Sequence, residues 1–180
     1  MKRQFIAFVV FLICFTAAIG AQDWRIISSI SDLEGRWEGS FNMDVPASPG
    51  DFIPKSSINF KMNLFCTSSN YMFEISIDFE KLLDDFLDMP EAKGIGVTKE
   101  LLWMVLVSAI EDQTKSSGFN FSTDGYTINM NLSGDSSDLI SDSDEYFINE
   151  SRNMIRIVFN EKMTLGLGDE GISEIILNKR

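Results

Sequence analysis

The sequence lacks histidine and has only two cysteines and four prolines in 180 residues. Without histidine the chain has neither the usual general base of enzymes nor the commonest zinc ligand. No glycine-rich loop stands at a strand–helix junction to hold a phosphate. Pairs of carboxylates could still act as acid and base, but most of them fall on outward faces. The sequence therefore predicts a protein that is not an enzyme and uses no metal or cofactor.

Basic residues are also scarce. Lysine and arginine total 15 against 27 acidic residues, which gives a formal net charge of −12. Proteins bind nucleic-acid phosphates and anionic lipid surfaces mainly through clustered lysine and arginine. We therefore expect no nucleic-acid partner.

The one long apolar run lies at the amino end. Lys2 and Arg3 precede an almost unbroken apolar stretch over residues 5–15, and small residues follow. This order is typical of a secretory signal peptide, and the run is short for a membrane span. We expect a signal over residues 1–20 and a single domain over residues 21–180, with no transmembrane segment in the mature chain.

Two alternatives to simple cleavage concern the same segment. In the first, the apolar run is not cleaved and stays as a membrane anchor. In the second, Cys14 is the attachment site of a lipid. The bulky Ile13 before Cys14 disfavours a lipid attachment site. Export without lipid is the preferred interpretation.

Removal of the signal would leave Cys66 as the one cysteine, so no disulfide could form within the mature chain. Small secreted animal domains usually carry disulfides. A secreted or periplasmic location in a bacterial envelope therefore fits better. Cys66 falls on an apolar, inward face, where a thiolate is disfavoured.

Most of the chain after Trp37 alternates between apolar and polar residues, as half-buried strands do. A turn at Asp124-Gly125 would place Phe121 opposite Ile128 and Phe119 opposite Met130. This register puts the apolar side chains of the hairpin on one face.

Two more hairpins follow the same rule. A turn at Ser68-Ser69 sets Cys66, Leu64, Met62 and Phe60 opposite Tyr71, Phe73, Ile75 and Ile77, in that order. A turn at Ser151-Arg152 sets Ile148 opposite Ile155 and Tyr146 opposite Ile157. Together the hairpins indicate an antiparallel sheet with one solvent-exposed face.

The count from Trp37 reaches eight or nine strands in consecutive order, including strands at Met163–Leu167 and Ile172–Leu177. A proline-rich loop over residues 46–56 and a helical insertion over about 80–117 interrupt the strands. The insertion follows the third strand in two pieces, the second beginning after Thr98 as a possible N-cap. We predict an all-β fold, an antiparallel up-and-down barrel, because closure removes exposed strand edges.

The stretch LEGRW, residues 33–37, opens the first of these strands. It resembles the Gly-x-Trp signature of the lipocalins and the wider calycin group, which are up-and-down barrels that often bind small apolar molecules. The resemblance implies structural roles for Gly35 and Trp37, and a basic residue of the last strand, Arg180 (or Lys179), lying over the indole. Such a cation–π contact contributes roughly 0.5–2 kcal/mol. The missing disulfide and the position of the insertion depart from a typical lipocalin.

The inward faces of the predicted strands supply the candidate ligand-binding residues. These are Phe41, Met43, Phe60, Met62, Phe73, Ile75, Phe121, Ile128 and Met130, with Trp103 of the insertion as part of a lid. Methionine side chains adapt readily to apolar ligands. A core filled by its own phenylalanines, with the helix merely plugging or packing outside the barrel, is the competing interpretation.

The expected function is that of an exported, lipocalin-like binding protein that holds a small apolar ligand, such as a fatty acid or other lipid. The alternative is a packed barrel that serves as a structural or protein-interaction module of the cell envelope and has a protein partner there. The acidic stretch over residues 135–145 could bind calcium, but it lacks the spacing of a calcium loop. A solvated loop is the preferred interpretation of that stretch.

Overall fold

The computed structural model describes residues 23–47, 53–114, 119–141, 145–163 and 172–180. Within these ranges the dominant element is one antiparallel sheet of nine strands. The strands are β1 (Trp24–Ile26), β2 (Gly35–Val45), β3 (Ser56–Cys66), β4 (Asn70–Asp78), β5 (Asn120–Asp124), β6 (Thr127–Asp135), β7 (Glu145–Asn149), β8 (Met154–Met163) and β9 (Ile172–Lys179). The fold is therefore predominantly β, as the alternating pattern predicts.

The strands lie side by side in the order β1-β7-β8-β9-β2-β3-β4-β6-β5. Among the described residues the two outer strands, β1 and β5, do not pair with each other. The sheet is thus open between these strands, whereas the sequence predicts a closed barrel.

The order also departs from a consecutive meander, because β6 and not β5 lies next to β4. The nine-residue β6 pairs with β4 along its whole length, with Ile77 opposite Ile128 and Ile75 opposite Met130. The five-residue β5 is mostly polar and exposed. A short polar strand is better suited to an edge than a long apolar one, which explains the exchange.

Two of the three predicted hairpin registers are confirmed. Strands β3 and β4 pair with Cys66 opposite Tyr71 and Leu64 opposite Phe73. Strands β7 and β8 pair with Ile148 opposite Ile155 and Tyr146 opposite Ile157. In both hairpins one face carries the apolar side chains, which determines the register.

The register of the third hairpin is shifted from the prediction. Asp124 pairs with Thr127, so the turn is formed by Gly125 and Tyr126, and Phe121 lies opposite Met130 instead of Ile128. Gly125 has φ +55°, and the next residue does not have a positive φ. A positive φ at the first turn position alone is the feature of a type II′ turn.

The helices are α1 (Ile30–Leu33), α2 (Glu80–Asp88), α3 (Pro90–Ile95), α4 (Lys99–Thr114) and α5 (Asp138–Ser141). The described part of the insertion, residues 80–114, therefore has three helical pieces and not two. Pro90 occupies the first turn of α3, where its missing N–H costs nothing. The hydroxyl of Thr98 accepts a hydrogen bond from the amide of Leu101 at 3.3 Å, which confirms Thr98 as the cap of α4.

Elements β1 and α1 precede the first predicted strand and were not expected from the alternation. The side chain of Arg25 in β1 donates two hydrogen bonds, of 2.8 and 2.7 Å, to the buried carboxylate of Asp32 in α1. This ion pair holds α1 against β1, an outer strand of the sheet.

Five predicted features fall wholly or partly outside the described residues. These are the signal over residues 1–20, residues 48–52 of the proline-rich loop, residues 115–117 of the helical insertion, the strand at Met163–Leu167 beyond Met163, and residues 142–144 of the acidic stretch.

The core lies on one face of the sheet and is continuous with the inner side of the insertion. Its largest fully buried side chains include Trp37 of β2, Phe60 of β3 and Phe79, which precedes α2. The inward residues of β3 alternate with exposed ones along its length. This alternation is the packing that the sequence pattern predicts.

Candidate functional site

An apolar cavity of about 180 Å³ lies within the curve of the sheet. Strands β3, β4 and β6 line one side, and β7 and β8 line the other. Because β9 and β2 separate β8 from β3 in the sheet, both sides can meet at one cavity only if the sheet curls around it. The lining side chains are Met62, Leu64, Tyr71, Phe73, Ile75, Phe119, Leu132, Leu139, Tyr146, Ile157 and Phe159.

Among the residues that the structure describes, this lining consists of nine apolar side chains and two tyrosines, with no charged group. A surface of that kind binds by removing apolar area from water, and it offers few polar groups to orient a ligand. The arrangement of the described residues can hold an apolar molecule.

Three of the predicted ligand-binding residues line the cavity, namely Met62, Phe73 and Ile75. They come from β3 and β4, the hairpin whose register the sequence predicts. The structure brings them together because Met62 and Ile75 are direct cross-strand partners and Phe73 lies two residues from Ile75.

Six other predicted residues fill space in or beside the core instead. The rings of Phe41 and Phe60 stack with centroids 5.0 Å apart and planes at 12°. Met43, Ile128 and Met130 are buried in the same core, and Phe121 packs against it. The interior is therefore filled in one part and hollow in another.

Trp103 of α4 does not line the cavity. Its ring lies between Phe79, at 6.2 Å, and Tyr126, which it meets edge-on at 5.7 Å. The indole thus anchors the insertion to the β5–β6 turn. The structure places it as a packing residue, whereas the sequence predicts a lid.

Eight lining residues were not among the predicted ligand-binding residues. Several of them have a signal in the sequence, because Leu64, Tyr71, Tyr146 and Ile157 fall on the apolar faces of the predicted hairpins. Phe119 also falls on the apolar face of a predicted hairpin, and Leu132 and Phe159 continue the apolar alternation of β6 and β8. Leu139 lies in the short helix α5, where the alternating pattern gives no indication of a shared cavity.

The Gly-x-Trp stretch forms a compact cluster at the start of β2. The Trp37 ring is buried, and its Nε1 donates a 2.7 Å hydrogen bond to the carbonyl of Leu33. The cation over this ring is Lys179, with Nζ 5.1 Å from a ring centroid. Arg180, the other basic candidate, lies 2.7 Å from the carboxylate of Glu38.

Gly35 has a backbone φ of +129°, and a Cβ added there would lie 3.1 Å from Cε of Lys179. Glycine adopts such a φ readily and other residues rarely do. It also leaves room for the lysine stem to cross toward the indole. Both features explain why a glycine opens this strand.

Two titratable groups of this region have shifted pKa values. The hydrogen bonds from Arg25 lower the pKa of Asp32, which keeps that buried carboxyl ionised. Burial raises the pKa of Cys66, whose thiol donates to the carbonyl of Thr67 at 3.4 Å. Cys66 is therefore held as a thiol and is a poor nucleophile.

A larger groove of about 330 Å³ lies on the outer face of β2, β3 and β4. Its charged groups are already engaged: Arg180 pairs with Glu38, and Asn63 contacts Glu74 at 3.4 Å. The Arg36 guanidinium lies over the Phe65 ring at 5.4 Å. We therefore regard the inner cavity as the candidate site.

No cluster of three or more histidine, cysteine or acidic side chains that could bind a metal occurs in the part of the chain that the structure describes. In the same residues, none of the helices combines the length and apolar character that crossing a bilayer requires. Comparison with protein-family models, with curated proteins and with solved structures returned no match.

Proposed function

We propose that this protein binds one small apolar molecule, or the end of an alkyl chain, in the cavity inside the curved sheet. The observation that carries this proposal is a cavity of about 180 Å³ whose described lining residues are all uncharged. A cavity of about 150 Å³ with a comparable lining admits benzene. By that scale the site holds roughly seven carbon atoms.

The expected affinity is modest. Burial of about 200 Å² of apolar ligand surface at about 25 cal/mol per Å² gives about 5 kcal/mol, which corresponds to a Kd of roughly 0.2 mM. The apolar character of the described lining favours loose selectivity among apolar ligands of similar size. The proposal assigns no chemical reaction to the protein.

The proposal includes a lipocalin-like architecture and export from the cell. The Gly35, Trp37 and Lys179 cluster supports the first, because it contains the glycine, the indole and the overlying cation that the resemblance implies. The signal-like order of residues 1–20 supports the second. The exported form would then act as a holder or carrier of apolar molecules in a bacterial envelope or outside the cell.

A blocking variant tests the site. Ile157→Trp places a larger side chain at a buried position of the lining, whereas Val158→Leu alters the neighbouring residue of β8, which does not line the cavity. Titration with toluene, followed by protein NMR shifts, should show saturable binding to the original chain and to Val158→Leu. Ile157→Trp should bind at least tenfold more weakly.

A milder variant keeps the test valid if Ile157→Trp does not fold. Leu132→Phe enlarges a half-buried lining residue and should also weaken toluene binding. Equal toluene binding by folded Ile157→Trp and by the original chain would overturn the assignment of the site.

A further inference from the structure

Helix α4 has two apolar faces, and only one of them packs against the core. The inner face carries Leu102, Trp103, Leu106, Val107 and Ile110, all of which contact the core or lie within it. This face explains how the insertion is attached to the sheet. The sequence of this helix is apolar nearly all round, so the opposite face is apolar too.

The outer face is exposed. Leu101, Met104 and Val105 expose 49%, 63% and 64% of their surfaces. They continue at helical spacing to Ser108 and Asp112, and Met104 and Val105 join Ser108, Ala109 and Asp112 in a shallow groove. We call these six residues, 101, 104, 105, 108, 109 and 112, the outer face of α4.

Exposed apolar side chains are concentrated in this insertion. Eight large apolar residues are exposed in the described part of the chain, and four of them (Ile95, Leu101, Met104 and Val105) belong to α3 and α4. Clustered exposed apolar groups mark interaction surfaces more often than scattered ones do.

The insertion that carries the outer face is acidic. Residues 80–114 contain eight acidic and three basic side chains, a net charge of −5. Each of the three lysines is already paired within the insertion: Lys81 with Asp85, Lys93 with Asp88, and Lys99 with Asp84. The insertion that carries the apolar surface is therefore negatively charged overall, and Asp112 lies in the outer face itself.

We propose that the outer face of α4 binds a basic amphipathic helix of another protein. The apolar stripe of such a helix would cover Leu101, Met104 and Val105, and the small Ser108 and Ala109 would allow close approach. Its lysines or arginines would meet the acidic residues of the insertion. A second copy of this chain, with a net charge of −12, lacks that complementarity.

This proposal is independent of the cavity, because the outer face of α4 and the cavity share no residue. Either proposal can fail while the other stands.

The test uses the purified protein and an 18-residue synthetic peptide of leucine and lysine, spaced to form an amphipathic helix. Binding is followed by fluorescence anisotropy of the labelled peptide. Saturable binding should weaken at least tenfold in the double variant Met104→Gln/Val105→Gln, which keeps good helix-forming residues at both positions. It should also weaken as salt rises from 50 to 500 mM.

The matched control is Ile176→Gln, which removes an exposed apolar side chain from β9. Its binding should equal that of the original chain. The proposal is overturned if the peptide does not bind, if the double variant binds as well as the control, or if a leucine–glutamate peptide binds equally.

Two other occupants of the surface would also overturn the proposal. One is self-association, seen by analytical ultracentrifugation as a dimer that the double variant abolishes. The other is binding to neutral phosphatidylcholine vesicles that depends on Met104 and Val105.

Discussion

Gly35 shows how a single position can combine two constraints. Its φ of +129° excludes most side chains, and its missing Cβ leaves room for the stem of Lys179 on its way to the Trp37 ring. The resemblance to the Gly-x-Trp signature indicated a structural glycine and tryptophan. Whether Arg180 or Lys179 would reach the indole depends on the direction of each side chain at the end of β9, which a sequence does not specify.

Gly35→Ala should lower the free energy of unfolding by about 1–3 kcal/mol, because alanine is strained at this φ and its Cβ crowds Lys179. Urea denaturation measures the change. The matched control is Gly94→Ala in α3, where an added Cβ meets no atom within 4 Å and φ is not positive. That variant should be neutral or up to about 1 kcal/mol more stable, because alanine favours helices. Equal stability of the two variants would contradict the proposed role of Gly35.

Asp32 should make the stability of the protein depend on pH. The hydrogen bonds from Arg25 hold its pKa in the folded state below the ordinary value of 3.8. The contribution of this carboxylate is therefore fully present above about pH 4 and is lost as pH falls through the lower folded-state value.

Comparison of the original chain with Asp32→Asn by urea denaturation between pH 2 and pH 7 tests this dependence. Asp32→Asn should be less stable at pH 7, and the difference should shrink toward pH 2. A difference that stays constant over this range would show that ionisation of Asp32 does not contribute.

At the scale of elements, local patterns predict a hairpin well when its apolar face alone determines the register. That condition holds for β3–β4 and β7–β8. In β5–β6 the Tyr126 ring contacts Trp103 and lies 4.5 Å beneath Nζ of Lys99, both in α4. These contacts hold Tyr126 in the turn and shift the pairing by two residues. Because the contacts come from α4, a sequence pattern within the hairpin cannot predict them.

The exchange of β5 and β6 in the sheet has the same kind of cause. The apolar face points inward whether β5 or β6 lies next to β4, so the alternation of apolar and polar residues cannot distinguish the two strand orders. The relative lengths and polarities of the two strands decide which one lies at the edge. Sequence therefore predicts strands and faces better than it predicts neighbours.

The contact between β2 and β9 depends on Gly39. A Cβ at this position would lie 2.6 Å from the carbonyl oxygen of Ile176 and 2.8 Å from Cδ2 of Leu177. Gly39→Ala should therefore push β9 away from β2 and cost about 1–3 kcal/mol of unfolding free energy. Hydrogen exchange should accelerate at the amides of β9.

Gly134→Ala is the matched control, because it also lies in a strand but the three atoms nearest to its added Cβ all belong to the side chain of Tyr71, with Cε1 at 2.9 Å. A side chain can rotate away more easily than a backbone carbonyl, so this variant should lose less stability. Faster exchange in β9 for Gly134→Ala than for Gly39→Ala would contradict the close approach at Gly39.

At the scale of the whole molecule, the sequence could not decide between a filled and a hollow interior. The same alternating residues supply both the stacked Phe41 and Phe60 and the cavity beside Met62 and Phe73. Interior volume depends on the sum of all side-chain positions and on the curvature of the sheet. Three of the predicted residues line the cavity because strand faces were predictable. Six others fill space in or beside the core because the interior volume was not predictable.

The most direct measurement of the central claim is calorimetric titration with straight-chain alcohols of four to sixteen carbons. Each added CH₂ should strengthen binding by about 0.8 kcal/mol while the chain still fits the cavity. The gain should stop at roughly seven carbons, the number expected from the cavity volume. Absence of binding at every chain length would mean a filled interior, and affinity that keeps rising to sixteen carbons would mean a different site; either result would contradict the account.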